Sequence, residues 1–194
     1  MAEHLDLEPA ARRLAGLAAD TPDARLGDPT PCAGMDVAGL LDHVLMLSEA
    51  FRRAAVKANS VDDGPPPEAD GANLPADWRE ELARRLDTLA EAWRAPQAWE
   101  GETSAGGVAL SGGEAGAVAL NELILHGWDL ARATGRDYVC EEWEAQVSYD
   151  FAASVPDVPE ARAGLFGPVV AVPDDAPLFD RALGYSGRDP GWSA

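Results

Sequence analysis

Apolar residues recur at the helical period of 3.6 residues in four separate stretches of this 194-residue chain. Each such helix has one apolar face, and four helices of this kind bury those faces by packing together. The four stretches are residues 7–19, 37–57, 78 to about 95, and 114–134, and a weaker pattern covers 141–154. The pattern therefore predicts an all-α protein, an antiparallel four-helix bundle.

The segments between the predicted helices are rich in turn-forming residues. Asp36 is suited to cap the start of the second helix, and Gly135 is suited to end the fourth. Residues 59–75 predict a long polar loop, because proline and glycine are frequent there. Residues 104–113 lack the motif of a phosphate-binding loop and predict a flexible connection.

The helical pattern changes after Pro156. Residues 169–172 favour an extended, β-prone conformation, and a short helix is predicted over 177–184. This part of the chain is short for a second domain. We therefore expect a bundle domain over residues 1–156 and a C-terminal extension over 157–194 that packs on it.

Acidic residues outnumber basic residues by 34 to 15, which gives a formal net charge of −19. Such a surface repels phosphates and anionic lipids, so we expect neither a nucleic-acid nor a membrane partner. No apolar run approaches the roughly 20 residues of a membrane-spanning helix, and the first residues do not resemble a signal peptide. Two cysteines make no disulfide framework. These features predict a cytoplasmic protein, and a homodimer through an exposed bundle face is a further expectation.

Two histidines interrupt the apolar stripes of the predicted bundle. His43 lies on the second helix, whereas Glu122 and His126 are four residues apart and share one face of the fourth. Burial of a carboxylate requires compensation of its charge, which a divalent cation would provide. Three protein ligands leave one coordination position open, as in catalytic zinc sites. Zinc suits this donor set, and so do nickel and iron.

The same residues also have simpler interpretations. Glu122 and His126 are compatible with a surface ion pair, and a lone histidine on an apolar face is often satisfied by hydrogen bonds within the core. Asp129 would either orient the imidazole of a metal ligand or form an ion pair with Arg132. Cys32 precedes the second helix, whose dipole would lower the pKa of the thiol, or it is a small residue that fills space.

Three segments of the chain resemble one protein family. They are DPTPCAGMDVAGLLDHVLM (28–46), NELILHGWDLARATG (121–135) and GPVVAVPDDAPLFDRALGYSGRDPGW (167–192). The family comprises actinobacterial metal-binding proteins related to the N-terminal domain of mycothiol-dependent maleylpyruvate isomerase, within the DinB/YfiT-like superfamily. The motif E-x-x-x-H-x-W-D-L-A-x-A-T-G of the second segment is the most specific mark, and G-R-x-P-x-W closes the third.

The resemblance implies a four-helix bundle that holds a divalent metal, with His43, Glu122 and His126 at the ligand positions. It also implies that a low-molecular-weight thiol, mycothiol, attacks an electrophilic substrate in a transfer or isomerisation reaction. The chain departs from its relatives at Met35, where tryptophan is common. A non-catalytic module that binds metal or a small ligand is the alternative, and a purely structural hydrogen-bonded cluster is a third hypothesis.

Overall fold

The computed structural model describes residues 4–193 and is built mainly of α-helices, as predicted. The four long helices are α1 (Glu8–Ala19), α2 (Val37–Ala55), α3 (Trp78–Trp93) and α4 (Gly112–Ala133). Three shorter helices follow, namely α5 (Glu142–Ser154), α6 (Pro159–Arg162) and α7 (Leu178–Tyr185). A two-stranded antiparallel sheet, β1 (Glu102–Ala105) and β2 (Val108–Ser111), connects α3 to α4. Short 3₁₀ turns lie at Asp23–Arg25, Val61–Asp63, Gly71–Asn73 and Pro96–Trp99.

Helices α1 to α4 enclose one hydrophobic core, and each of them packs against two of the others. Helices α2 and α3 run in the same direction. Arg85 donates to the carbonyl oxygen of Leu45, and about two turns further along both helices the indole of Trp93 donates to the carbonyl oxygen of Phe51. This direction requires the chain to return along the bundle between the two helices.

The residues between α2 and α3 make that return along the side of α2. The backbone N–H of Asp70 donates to the carboxylate of Asp42 at 3.0 Å. Gly71 lies so close to α2 that an added β-carbon would come within 2.6 Å of the methyl group of Ala38. The predicted loop over 59–75 is therefore a crossover, which explains why it exceeds the usual length of a connection in a bundle.

The predicted helix ends are confirmed at two places. The Asp36 side chain accepts a hydrogen bond from the backbone N–H of Gly39 at 2.8 Å, and Gly135 adopts a φ of 70° directly after Thr134, the residue that caps the end of α4. Helix α4 begins two residues earlier than predicted. The reason is a capping box, in which Ser111 and Glu114 each accept a hydrogen bond from the other's backbone N–H.

The flexible connection predicted over 104–113 is wrong, because β1 and β2 form a hairpin there. Ala105 pairs with Val108, and the turn consists of Gly106 and Gly107 with φ values of 58° and 78°. Two-residue hairpin turns of type I′ require a positive φ at both positions, which glycine adopts without steric cost. A pair of glycines between two short β-prone runs is the sequence signal for this turn.

The C-terminal segment packs on the bundle through α7, which lies against α5. Residues 169–172 form no strand within 4–193, and the N–H of Val170 donates to the carbonyl oxygen of Gly184. The division into 1–156 and 157–194 remains a prediction, and residues 1–3 and 194 of those ranges lie outside the described part. Within that part, no helix has both the length and the apolar character to cross a membrane.

A partly buried ion pair joins α1 to α5. The guanidinium group of Arg13 donates to both carboxylate oxygens of Glu144, at 2.6 and 2.7 Å, and Glu144 has no exposed surface. Removing the arginine leaves a buried carboxylate without a cation. We therefore expect Arg13→Ala to lower the free energy of unfolding by about 3 kcal/mol, measured by urea denaturation.

The neighbouring Arg12→Ala variant is the matched control. The side chain of Arg12 is 77% exposed and pairs with Glu8 on the surface, so its removal should leave stability nearly unchanged. Equal losses of stability in the two variants would show that the Arg13–Glu144 pair is no more important than a surface contact.

Candidate metal centre

The three predicted ligands meet between α2 and α4. The Nε2 atom of His126 lies 3.0 Å from Oε2 of Glu122, and Nε2 of His43 lies 3.6 Å from the same oxygen. The two imidazole rings are arranged edge to face, with centroids 4.8 Å apart. One donor atom from each residue lies within 4.8 Å of the other two. The structure therefore brings together all three residues that interrupt the apolar stripes.

This donor set fits a divalent cation. Ligand atoms at about 2.0–2.2 Å from a tetrahedral ion are roughly 3.3–3.6 Å apart, which is close to the observed separations of 3.0 and 3.6 Å. The side chains of His126 and Glu122 are only 6% and 16% exposed, so a solvated surface ion pair does not describe them. His43 completes the set from the neighbouring helix, on the side that faces a cavity.

Burial and the neighbouring charges oppose one another in setting protonation at this centre. Burial alone would lower the pKa of His126, but hydrogen bonds to Asp129 and Glu122, and their charges, raise it to about 9. Burial alone would raise the pKa of Glu122, but the two histidines hold it well below its usual range. Glu122 is therefore ionised, and the imidazoles of His126 and His43 stabilise its negative charge.

Asp129 holds the ring of His126 from the opposite side. The Nδ1 atom of His126 lies 3.0 Å from Oδ2 of Asp129, which is completely buried. A carboxylate on one ring nitrogen fixes the orientation of the other, so Nε2 faces Glu122. Asp129 thus makes the contact that is expected of a residue that orients the imidazole of His126. Its alternative ion pair with Arg132 is wrong, because Arg132 donates to the carbonyl oxygen of Trp192.

The cation beside Asp129 is Arg188, a residue not predicted to belong to the site. Its Nε donates to Oδ1 of Asp129 at 2.8 Å and its Nη2 donates to Oδ2 at 2.7 Å. The charge of Arg188 outweighs the effect of burial and keeps the pKa of Asp129 below its ordinary value. Two signals in the sequence point to this pair. Asp129 lies on the buried face of α4 and needs a cation, and Arg188 lies in the closing G-R-x-P-x-W motif.

A cavity of about 390 Å³ lies between the bundle and the C-terminal segment, and the three candidate ligands line it. Residues 164–167 and 186–188 form one wall of this cavity, so the C-terminal segment is part of the site. Gly187, at a φ of 81°, passes so close to Gly167 that an added β-carbon would lie 2.8 Å from its backbone. This close crossing of two loops sets the position of Arg188.

Cys32 also lines the cavity, but its thiol is not activated. Burial, and then the charge of Asp129, raise the pKa of Cys32 to about 11, so the lowering expected from the helix dipole is wrong. The Sγ atom lies within 4.8 Å of donor atoms of His126 and Asp129. Because both oxygens of Asp129 are bound by Arg188, this second group is a poorer set of metal ligands than the first.

Comparisons with known proteins give one family match and two similar structures. A family model, the mycothiol maleylpyruvate isomerase N-terminal domain, matches residues 7–131, which include His43, Glu122, His126 and Asp129. The crystal structure of the mycothiol-dependent maleylpyruvate isomerase has a TM-score of 0.62 at 19% identity, and the match covers 96% of this chain and 79% of that chain. A crystal structure of a histidine-to-alanine mutant of that isomerase gives the same TM-score and coverage at 18% identity. The search of curated proteins gives no significant match.

Proposed function

Because the chain belongs to the mycothiol maleylpyruvate isomerase N-terminal domain family, we propose that it is a metal- and thiol-dependent transferase or isomerase. In this proposal His43, Glu122 and His126 hold a divalent ion, zinc in the first place and nickel or iron as alternatives. The thiol is mycothiol, as in the name of the family. The convergence of two imidazoles and one carboxylate at the edge of a cavity is the observation that carries the proposal.

Each residue around the candidate ligands has a separate task in this proposal. Glu122 supplies negative charge, and Asp129 holds His126 with Nε2 directed at Glu122. Arg188 neutralises Asp129 and occupies both of its oxygens, which keeps that carboxylate from competing as a ligand. When bound, a divalent cation would lower the pKa of a thiol that reaches it and so favour the nucleophilic thiolate.

The cavity has the size of a small-ligand site, since such sites begin at about 300 Å³. The reactive end of a thiol and a small electrophile would meet there, beside the candidate ligands. Leu125 and Phe166 line the same cavity, and their apolar side chains would shield the reacting groups from water. The thiol would lose its proton to solvent, and the sulfur atom of the thiolate would form its new bond to an electrophilic carbon held against these side chains. The electron pair of the π bond or leaving-group bond broken at that carbon would move to the substrate oxygen, the adjacent carbon or the leaving group.

A non-catalytic module is the second candidate function, and one observation favours it. Among the described residues that line the cavity, those with acid or base groups outside the candidate ligands are Cys32, Ser186 and Arg188. The pKa of Cys32 is raised to about 11, the hydroxyl of Ser186 donates to the carbonyl oxygen of Leu183, and Arg188 is paired with Asp129. None of these groups is suited to act as a general base, so catalysis would depend on the thiolate itself.

Metal content tests the proposal first. Protein purified without a histidine tag is expected to contain about one equivalent of a divalent metal by elemental analysis. Because an ion bound only by the folded state stabilises it, a chelator should lower the melting temperature by roughly 10 °C for a tightly bound ion. The alternative result is protein that contains no metal, takes up none and has the same melting temperature with and without chelator. This result would support the hypothesis that His43, Glu122 and His126 form a purely structural hydrogen-bonded cluster.

Thiol consumption then separates the enzyme from the module. Metal-loaded protein with mycothiol and a panel of electrophiles should consume the thiol faster than the uncatalysed reaction, and chelation should remove the difference. Stoichiometric metal without acceleration for any electrophile would favour the non-catalytic module.

A further inference from the structure

The cavity beside the candidate metal centre has little positive charge to offer a substrate. Of the described residues that line it, Arg188 is the one with a permanently cationic side chain. All three nitrogens of its guanidinium have partners, since Nε and Nη2 bind Asp129 and Nη1 donates to the carbonyl oxygen of Ser186 at 3.3 Å. A substrate carboxylate that bound Arg188 would compete with Asp129, and loss of that pair leaves a buried carboxylate unpaired.

The remaining charges of the site also balance. If the proposed function holds, the two positive charges of the metal ion are offset by Glu122 and by the thiolate. Arg188 offsets Asp129 in the same way. The chain as a whole carries a net charge of −19, which further disfavours the approach of an anion. An anionic second substrate would therefore find no net attraction at the site.

Apolar side chains form the part of the cavity next to this balanced centre. Met35, Leu125 and Phe166 line it, and Leu165 lies at its edge with 40% of its surface exposed. Small-molecule sites are lined mainly by apolar side chains, with few polar groups. The wall therefore matches a ligand with an apolar body.

From these observations we infer that the second substrate is an uncharged electrophile with an apolar body, and that the cavity discriminates against carboxylates. This inference rests on the proposed function and narrows its substrate class. Esters, amides and ketones without free acid groups fit this description. A dicarboxylate such as maleylpyruvate does not fit it.

Binding of two matched, unreactive probes tests the inference. Succinate and dimethyl succinate share one carbon skeleton, differ in charge, and do not react with thiols. Met35 lines the cavity, whereas Met46 lines a separate groove, so methionine ¹³C-methyl NMR distinguishes the two places. The Met35→Leu variant identifies the signal of Met35. The full chain is used with one equivalent of zinc and saturating mycothiol, and again after chelation.

Dimethyl succinate is expected to shift the Met35 signal and not the Met46 signal, and to bind at least about tenfold more tightly than succinate. Equal or tighter binding of succinate would overturn the inference, and so would the absence of binding by either probe at millimolar concentration. Zinc content is measured on the same samples. A failure of the metal site is therefore recognised separately from a failure of the charge preference.

A charge-adding variant provides the reverse test. Leu165→Arg places a free guanidinium at the edge of the cavity and should raise the affinity for succinate by about fivefold or more. Val158→Arg is the control, because Val158 is 47% exposed on the same segment but does not line the cavity. An equal gain in both variants, or no gain in Leu165→Arg, would show that charge in the cavity does not set the preference.

Discussion

The His126→Ala variant is expected to bind zinc at least about 100-fold more weakly than the wild-type protein. His126 lies between Glu122 and Asp129, with Nε2 at 3.0 Å from the first and Nδ1 at 3.0 Å from the second. Loss of a partner that only orients a ligand costs about 10–100-fold in metal affinity, so loss of the ligand itself should cost more. Competition with a chromophoric chelator measures the change, and circular dichroism checks that the variant is folded.

Two further variants make this result decisive. His43→Ala changes a side chain that is 27% exposed, so it removes a proposed ligand with less effect on the core, and a similar loss of affinity is expected. His4→Ala is the control, because His4 stacks on Trp99 with ring centroids 5.2 Å apart and is not part of the candidate centre. Unchanged zinc affinity in both His43→Ala and His126→Ala would refute the proposed ligand set.

Local sequence patterns predict the helices well, because the spacing of apolar residues within each helix identifies the face that the helix buries. The bounds of α2 and α3 differ from the predictions by about two residues at most, and Asp36 caps α2 as expected. The candidate ligands are also visible in the sequence. Both histidines stand at positions where the helical period predicts an apolar residue, so the pattern by itself distinguishes His43 and His126 from the apolar residues around them.

Features that depend on distant parts of the chain could not be predicted in the same way. The direction of α3 is set by the course of the crossover, and no periodicity within α3 contains that information. The pairing of Asp129 with Arg188 joins residues 59 positions apart. The pKa of Cys32 also depends on distant parts of the chain. Its position before α2 suggests a lowered value, whereas burial beneath the C-terminal segment and the charge of Asp129 raise it to about 11.

The pair of Asp129 and Arg188 gives rise to the largest expected effect on stability. Asp129 has no exposed surface and Arg188 is 7% exposed, so the Arg188→Met variant would leave a buried carboxylate without its cation. We expect the free energy of unfolding to fall by about 4 kcal/mol in urea denaturation. Because Asp129 orients His126, zinc affinity should also fall by roughly 10–100-fold in the folded variant.

Comparison with other variants separates the buried pair from a general tie between α4 and the C-terminal segment. Arg132 also joins these parts, but its partner is the carbonyl oxygen of Trp192. Arg132→Met leaves no carboxylate unpaired and should cost only about 1 kcal/mol. In the double variant Asp129→Asn/Arg188→Met both charges are absent, so its stability should exceed that of Arg188→Met by at least about 1 kcal/mol. Arg188→Lys, which keeps the charge but not the two-pronged contact, should recover part of the zinc affinity. Equal losses of stability in Arg132→Met and Arg188→Met, with the same zinc affinity in both, would contradict this account. Arg188 would then only anchor the C-terminal segment to α4, and Asp129 would not need Arg188 in order to orient His126.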